Sequence, residues 1–267
     1  MTEAPPQLLE QVAAIARAAG VEILDVYASG EVAATAKADA SPLTVADLRA
    51  HALIVSRLAE LTPGVPILSE EAADTPFSER SRWGRYWLVD PLDGTREFLA
   101  RNGQFTVNVA LIEGHAPALG VVHVPVTDTS YLGYPGGGAW RQRPATAAES
   151  IHVAGRSTTP LRVVGSRSHR GDSLDLFLAR AGAHELVAIG SSLKFCLLAE
   201  GAADVYPRLG PTSEWDTAAA HAVLAAAGGT VSQLDGTPLA YNTRAELLNP
   251  HFVAYGPKDR DWLALLR

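Results

Sequence analysis

Cysteine is nearly missing from this chain: Cys196 is the only one in 267 residues, so no intrachain disulfide can form and nothing points to an oxidising compartment. A small buried apolar residue on a helix is the ordinary role for such a thiol. Positive charge is also short. Lys and Arg number 22 against 29 Asp and Glu, and the net charge of −7 argues against a nucleic-acid-binding surface while leaving room for a local basic pocket. Any phosphate-bearing partner should therefore be a small molecule. No apolar run approaches membrane-spanning length, and the opening Met1-Thr2-Glu3-Ala4-Pro5-Pro6 has neither the basic region nor the apolar core of a signal peptide. A cytoplasmic protein is the expectation, with peripheral attachment to the inner face of the membrane left open. The chain does have 47% hydrophobic residues, enough for a sizeable core in one large or two modest domains.

Leu8, Val12, Ile15, Ala19, Ile23 and Val26 recur at helical spacing and predict a first amphipathic helix after Pro5-Pro6. A polar loop from Lys37 to Pro42 leads to a second helix, from about Thr44 to Leu61. Val65 to Leu68 reads as a short strand, and Phe105, Val107, Val109 and Leu111 alternate with Thr106, Asn108 and Ala110 as in a strand with one buried face. Leu119 to Val124, Tyr131 to Tyr134 and the region around Trp140 continue the strands, giving an α+β first half over residues 1–150. From Leu161 the pattern alternates: strand, helix Ser173 to Ala181, strand Leu186 to Ile189, helix Ser192 to Ala199, strand Asp204 to Tyr206, helix Glu214 to Ala227. That predicts an α/β second half over residues 151–267, closed by a short helix from Asp259 to Leu266.

The most informative run is Tyr86-Trp-Leu-Val-Asp-Pro-Leu-Asp-Gly-Thr-Arg-Glu-Phe98, an apolar strand that empties into two aspartates and then a Gly-Thr turn opening a helix. Two carboxylates three residues apart at a buried strand end repel each other, and burial adds to the cost of ionising either. A bound cation relieves both. Oxygen-only donors, Asp90, Asp93 and the Leu92 carbonyl, suit a hard ion such as Mg²⁺. Gly94 and Thr95 sit where free backbone N–H groups and a helix dipole can face an anion. The alternative is that Asp93 caps a helix and Asp90 ends a strand.

Three further carboxylates are candidates on similar terms. Glu70 follows a strand end and can reach an ion on Asp90 if the two strands lie side by side; otherwise Glu70-Glu71 is a solvated turn. Asp216, three residues after Ser213, fits a capping box but is also placed to close a metal site from the second half. Asp47, three residues after Thr44, poses the same choice between a cap and an acceptor for a proton from water, with Thr95 as hydroxyl partner. For a second anion the candidates are Arg167, His169, Ser191, Ser192, Lys194 and Arg208, of which Gly190-Ser-Ser again lies between a strand and a helix. The ligand would then carry two separated phosphates.

These segments resemble the inositol monophosphatase superfamily, and within it the CysQ-type 3′(2′),5′-bisphosphate nucleotidases. The resemblance is carried by Lys37 to Asp47, Ile67-Leu-Ser-Glu-Glu71, Trp87 to Phe98, Gly103 to Ile112, Gly190-Ser-Ser-Leu-Lys-Phe-Cys196, Tyr206-Pro-Arg-Leu-Gly-Pro-Thr212 and Trp215-Asp-Thr-Ala-Ala219. Leu43 and Arg96 stand where that family commonly has Val and Lys, and both keep the chemical type. The resemblance implies a layered α-β-α-β-α sandwich. It also implies two or three Mg²⁺ ions, one on Glu70, Asp90 and the Leu92 carbonyl and another on Asp90, Asp93 and Asp216. Asp47 with Thr95 would activate water, the Gly94 and Thr95 amides would hold the scissile phosphate, and His169, Ser191, Lys194 and Arg208 would grip the other. Glu70 and Asp216 would border the substrate as well.

The function so implied is Mg²⁺-dependent removal of the 3′-phosphate of adenosine 3′,5′-bisphosphate, with 3′-phosphoadenylyl sulfate as a further substrate, in sulfate assimilation, by a monomer or homodimer. One rival is an inositol monophosphatase or other sugar phosphatase, for which Lys194 and Arg208 have less use. Another, of a different class, is a non-catalytic nucleotide sensor, against which the full set of carboxylates argues.

Overall fold

The apolar stripe of Leu8, Val12, Ile15, Ala19 and Ile23 coils into helix α1 (Pro5–Ser29) and is buried along its length. The protein is described here by a computed structural model over residues 5–30, 34–36, 42–166 and 172–266. After the antiparallel pair β1 (Ala34–Ala36) and β2 (Pro42–Thr44) comes α2 (Val45–Leu61), capped by Thr44. Then follow β3 (Ile67–Ser69), α3 (Phe77–Arg80), β4 (Arg85–Asp93), α4 (Thr95–Leu99), β5 (Thr106–Glu113), β6 (Ala116–Val124), β7 (Thr129–Tyr134), β8 (Gly138–Gln142) and β9 (Glu149–Ser150). The strands β3 to β9 form one sheet in chain order, with β3 and β4 parallel and every later pair antiparallel.

The second half supplies β10 (Leu161–Ser166), α5 (Asp172–Ala181), β11 (His184–Ile189), α6 (Leu193–Ala199), β12 (Val205–Arg208), α7 (Glu214–Ala226), β13 (Thr230–Gln233) and β14 (Phe252–Tyr255). Its sheet has the order β11-β10-β12-β14-β13. The alternation expected from the sequence holds through β12, where the pairs are parallel; β14 then enters antiparallel between β12 and β13, so the sheet is mixed. The helix expected over Asp259 to Leu266 is reduced to a 3₁₀ turn at Ala264–Leu266. So short a segment gains few helical bonds, and Trp262 is buried and donates its indole N–H to the Pro257 carbonyl.

Side-chain parity sorts the layers. Trp87, Val89, Val107, Val109 and Val121 point to one face of the large sheet, where α1 and α2 cover them. Tyr86, Leu88, Ala110, Ile112 and Val122 point to the other face, against Ala218, Ala219 and Val223 of α7 and against α6. The same central core takes in Val164, Tyr206, Phe252 and Ala254 from the second sheet, whose outer face packs Leu161, Val163 and Val205 on Leu174, Phe177 and Leu178 of α5. The order is α1/α2, sheet, α6/α7, sheet, α5, the five layers that the resemblance implies. β5 departs from the single buried face read in its alternation: Thr106, Asn108 and Ala110 are as buried as their neighbours because α7 lies over them.

α7 lies unusually close to the sheet. A Cβ at Gly120 of β6 would overlap the Ala219 carbonyl, and one at Gly133 of β7 would stand 2.9 Å from Val223 Cα. Glycines opposite an alanine-rich helix face permit that approach. Gly120→Ala is therefore expected to destabilise the protein by about 1–3 kcal/mol through overpacking, read as a lower thermal unfolding midpoint. Gly84→Ala, where an added Cβ meets nothing within 4 Å, should shift the midpoint little.

Candidate active site

Asp90 ends the regular part of β4 and, by parity with Tyr86 and Leu88, faces the central layer. Asp93 is three residues on and by strict alternation would face α1 and α2 instead. A one-residue bulge prevents this: Asp90 pairs with Asn108 but Asp93 with Thr106, so three steps on β4 match two on β5. Both carboxylates thus emerge on one side. Asp93 Oδ2 accepts from Asn108 Nδ2 at 3.3 Å and Thr106 Oγ1 at 3.4 Å, and also from the backbone N–H of Ser192 at the entry to α6. Thr106 and Asn108 are site residues that the sequence reading passed over. The signal available was two polar side chains two residues apart in a strand whose neighbours are apolar.

Glu70 is brought in by pairing, since β3 runs parallel to β4 with Ser69 beside Val89, and the Glu70 N–H donates to the Val89 carbonyl at 3.1 Å. The side-by-side strands on which its candidacy depended are present. Asp216 arrives from the first turn of α7, and its Oδ2 accepts from Thr212 Oγ1 at 2.7 Å and the Ser213 N–H at 2.8 Å. Among the described residues, Asp90, Asp93 and Asp216 form an acidic group whose oxygens lie within 4.8 Å of one another. Capping and membership of that group are therefore compatible. Burial, reinforced by Glu70, Asp93 and Asp216, pushes Asp90 well above the usual carboxylate range, and burial with the nearby Asp216 pushes Asp93 up to about 7. An all-oxygen set with this excess of negative charge fits a hard divalent cation such as Mg²⁺.

Asp47, fully buried, accepts the Thr44 N–H at 2.7 Å and the Thr44 hydroxyl at 2.6 Å, while its Oδ1 lies 3.4 Å from the Thr95 hydroxyl. Thr95 Oγ1 is also 3.3 Å from the Leu92 carbonyl. Cap and Thr95 partner are again one residue. Gly94 takes φ +94° to open α4, and a Cβ there would stand 3.1 Å from the Gln104 carbonyl and 3.4 Å from Ser191 Cβ, so the turn needs glycine.

Glu70, Asp93, Thr95 and Asp216 open onto a cleft of about 520 Å³ that Ser191, Lys194 and Arg208 also line. Ser191 holds φ +48° in the turn before α6. Lys194 is buried, donates to the Ser191 and Ile189 carbonyls, and is pushed down to about 8 by that burial, with Asp93 opposing the shift. Arg208 donates to the Gly210 and Pro211 carbonyls. Arg167 and His169 lie outside the described residues. Cys196 is buried on α6, in the apolar role expected of it.

The pattern of the inositol monophosphatase family matches residues 6–260. A 3′(2′),5′-bisphosphate nucleotidase CysQ of Escherichia coli (strain K12) is 51% identical over 247 residues, which cover 92% of this chain and 98% of that protein. The crystal structure of CysQ from Bacteroides thetaiotaomicron, 40% identical, gives a TM-score of 0.82 over 94% of this chain and 97% of that one. An inositol monophosphatase from Anabaena, 24% identical, gives a TM-score of 0.75 over 98% and 95%, a likeness of fold alone.

The raised carboxylates predict how the metal-free protein responds to pH. A group whose pKa rises on folding favours the folded state below its ordinary value and ceases to do so as pH climbs through the folded value. With Asp93 moving from 3.8 to about 7, the chelator-treated protein should lose stability between about pH 4 and pH 7. Thermal melts across that range, with and without Mg²⁺, test this: added Mg²⁺ should remove the loss, and Asp93→Asn should flatten the metal-free profile.

Proposed function

Because the chain belongs to the inositol monophosphatase family, we propose that it is a 3′(2′),5′-bisphosphate nucleotidase that converts adenosine 3′,5′-bisphosphate to AMP and phosphate. The observation that carries the reading is a cleft in which a carboxylate cluster is joined by Lys194 and Arg208, in a chain half identical to a nucleotidase over nearly its whole length. Removal of 3′-phosphate in the course of sulfate assimilation is the setting this activity serves.

In this reading Glu70, Asp90, the Leu92 carbonyl, Asp93 and Asp216 hold two or three Mg²⁺ ions. Bound there, Mg²⁺ supplies charge neutralisation at the scissile phosphate and acidifies the attacking water. The protein's own groups do the rest. Asp47, against the Thr95 hydroxyl, receives the proton of that water through Thr95 Oγ1. The Gly94 and Thr95 amides, at the mouth of α4, hold the scissile phosphate in line with its leaving ribose oxygen. Asp93 is kept in place by Asn108, Thr106 and the Ser192 amide, so it need not reorganise as charge develops. His169, Ser191, Lys194 and Arg208 take the second phosphate, for which fixed cations give charge-assisted hydrogen bonds.

Asp93→Asn is expected to abolish phosphate release from adenosine 3′,5′-bisphosphate in Mg²⁺ while the far-UV circular dichroism stays as in the parent; near-parental turnover would sink the metal assignment. Arg208→Ala should raise KM for the bisphosphate by about 10-fold or more, the size of a lost hydrogen bond to a charged group, and leave 3′-AMP hydrolysis unaffected. A competition among the 3′,5′ and 2′,5′ bisphosphates, 3′-phosphoadenylyl sulfate and inositol 1-phosphate should rank inositol 1-phosphate last.

A further inference from the structure

The first turn of α7, which carries Asp216, is also tied into a buried polar network that the proposed chemistry does not use. Arg80 of α3, Asn242 and Glu214 of α7 are each about 1% exposed. Asn242, held at φ +54°, donates its backbone N–H to both Glu214 carboxylate oxygens at 2.9 Å. Its side chain grips Arg80 twice, Nδ2 donating to the Arg80 carbonyl at 2.6 Å and Oδ1 accepting from the guanidinium. Arg80 also donates to the carbonyls of Arg244 and Ala245. The segment so anchored is laced to the start of α7: Glu214 N–H to the Leu247 carbonyl at 2.8 Å, Asn249 N–H to the Thr212 carbonyl at 2.8 Å, and Asn249 Nδ2 to the Ser213 carbonyl at 2.7 Å.

The route runs between the two elements that meet in the cluster. Arg80 precedes β4, whose far end carries Asp90 and Asp93, and Glu214 is two residues before Asp216 on the same helical turn. Buried polar groups are costly unless every partner is in place, so a network of this kind fixes one arrangement of the parts it joins. We propose that Arg80, Asn242 and Glu214 are positioning residues that set the distance of Asp216 from Asp90 and Asp93, and through it the affinity of the cluster for Mg²⁺. The inference rests on the reading of those three aspartates as metal ligands.

The test is Mg²⁺ binding to the whole protein, followed by titration calorimetry and by the Mg²⁺-induced rise in unfolding midpoint. Asn242→Gly keeps the left-handed backbone and cuts the side-chain link to Arg80, Glu214→Gln weakens the link to α7, and Arg80→Lys retains the buried charge but loses the fork. Folded variants should bind Mg²⁺ about 10-fold more weakly, the size of effect seen when groups that orient metal ligands are removed, with KM for the bisphosphate at saturating Mg²⁺ unchanged. A lower midpoint with parental Mg²⁺ affinity, or loss of folding in all three variants, would assign the network to stability alone and overturn the proposal. Asp216→Asn separates the two ideas: if it leaves Mg²⁺ affinity intact, the metal reading itself fails, whereas weakened binding there with parental binding in the network variants refutes only the positioning role.

Discussion

Everything around the cleft answers to the repulsion among Asp90, Asp93 and Asp216, carboxylates whose oxygens approach within 4.8 Å at the rim of a buried layer. Left to themselves, these groups would separate or take up protons: burial first, and their neighbours' charge after it, raises Asp90 and Asp93 above the usual carboxylate range. The chain opposes separation with covalent and packing constraints. The bulge in β4 turns Asp93 to the side of Asp90, the parallel β3–β4 pairing delivers Glu70, and glycines at 120 and 133 let α7 come close enough to present Asp216. A site with this geometry is poised for a cation before one binds.

The individual carboxylates were legible in the sequence because each sits at a chemical discontinuity. Asp90 to Thr95 interrupts an apolar strand, and Asp47 and Asp216 occupy the third position of a helix, where capping boxes announce themselves. The helices and strands of the two halves were legible for the same reason, since periodicity is local, whereas the five layers were implied by the resemblance alone. What was hidden depends on pairs distant in the chain. The bulge is visible only when β4 is laid against β5, the double burial of β5 only when α7 is placed on it, and the antiparallel entry of β14 only when it meets β12. Arg80 and Asn242, separated by 162 positions, carry no mutual signal at all.

Sequence spacing left Asp47 and Asp216 as either caps or site residues; both are caps, and the same geometry is compatible with the site reading. Capping ties the Asp216 carboxylate to Ser213 and Thr212, and the Asp47 carboxylate to Thr44, fixing two side chains that would otherwise sample several rotamers. The entropy of ordering them is met when the helix forms, ahead of any ligand. Asp216 also carries its negative charge at the positive end of α7, which offsets part of the repulsion from Asp90 and Asp93.

That offset explains why the site is divided between the two halves. A strand end can gather carboxylates but has almost no net dipole to stabilise them. A helix of the second half brings both a carboxylate, Asp216, and the positive end of its macrodipole, and the entry to α6 adds the Ser192 amide on Asp93 together with the buried Lys194 nearby. The first half supplies the excess of negative charge; the second supplies the groups that make it tolerable. The cleft therefore holds carboxylates and cations in electrostatic reach of one another, Lys194 beside Asp93 and Asp216, a combination that suits a bound cation together with phosphate.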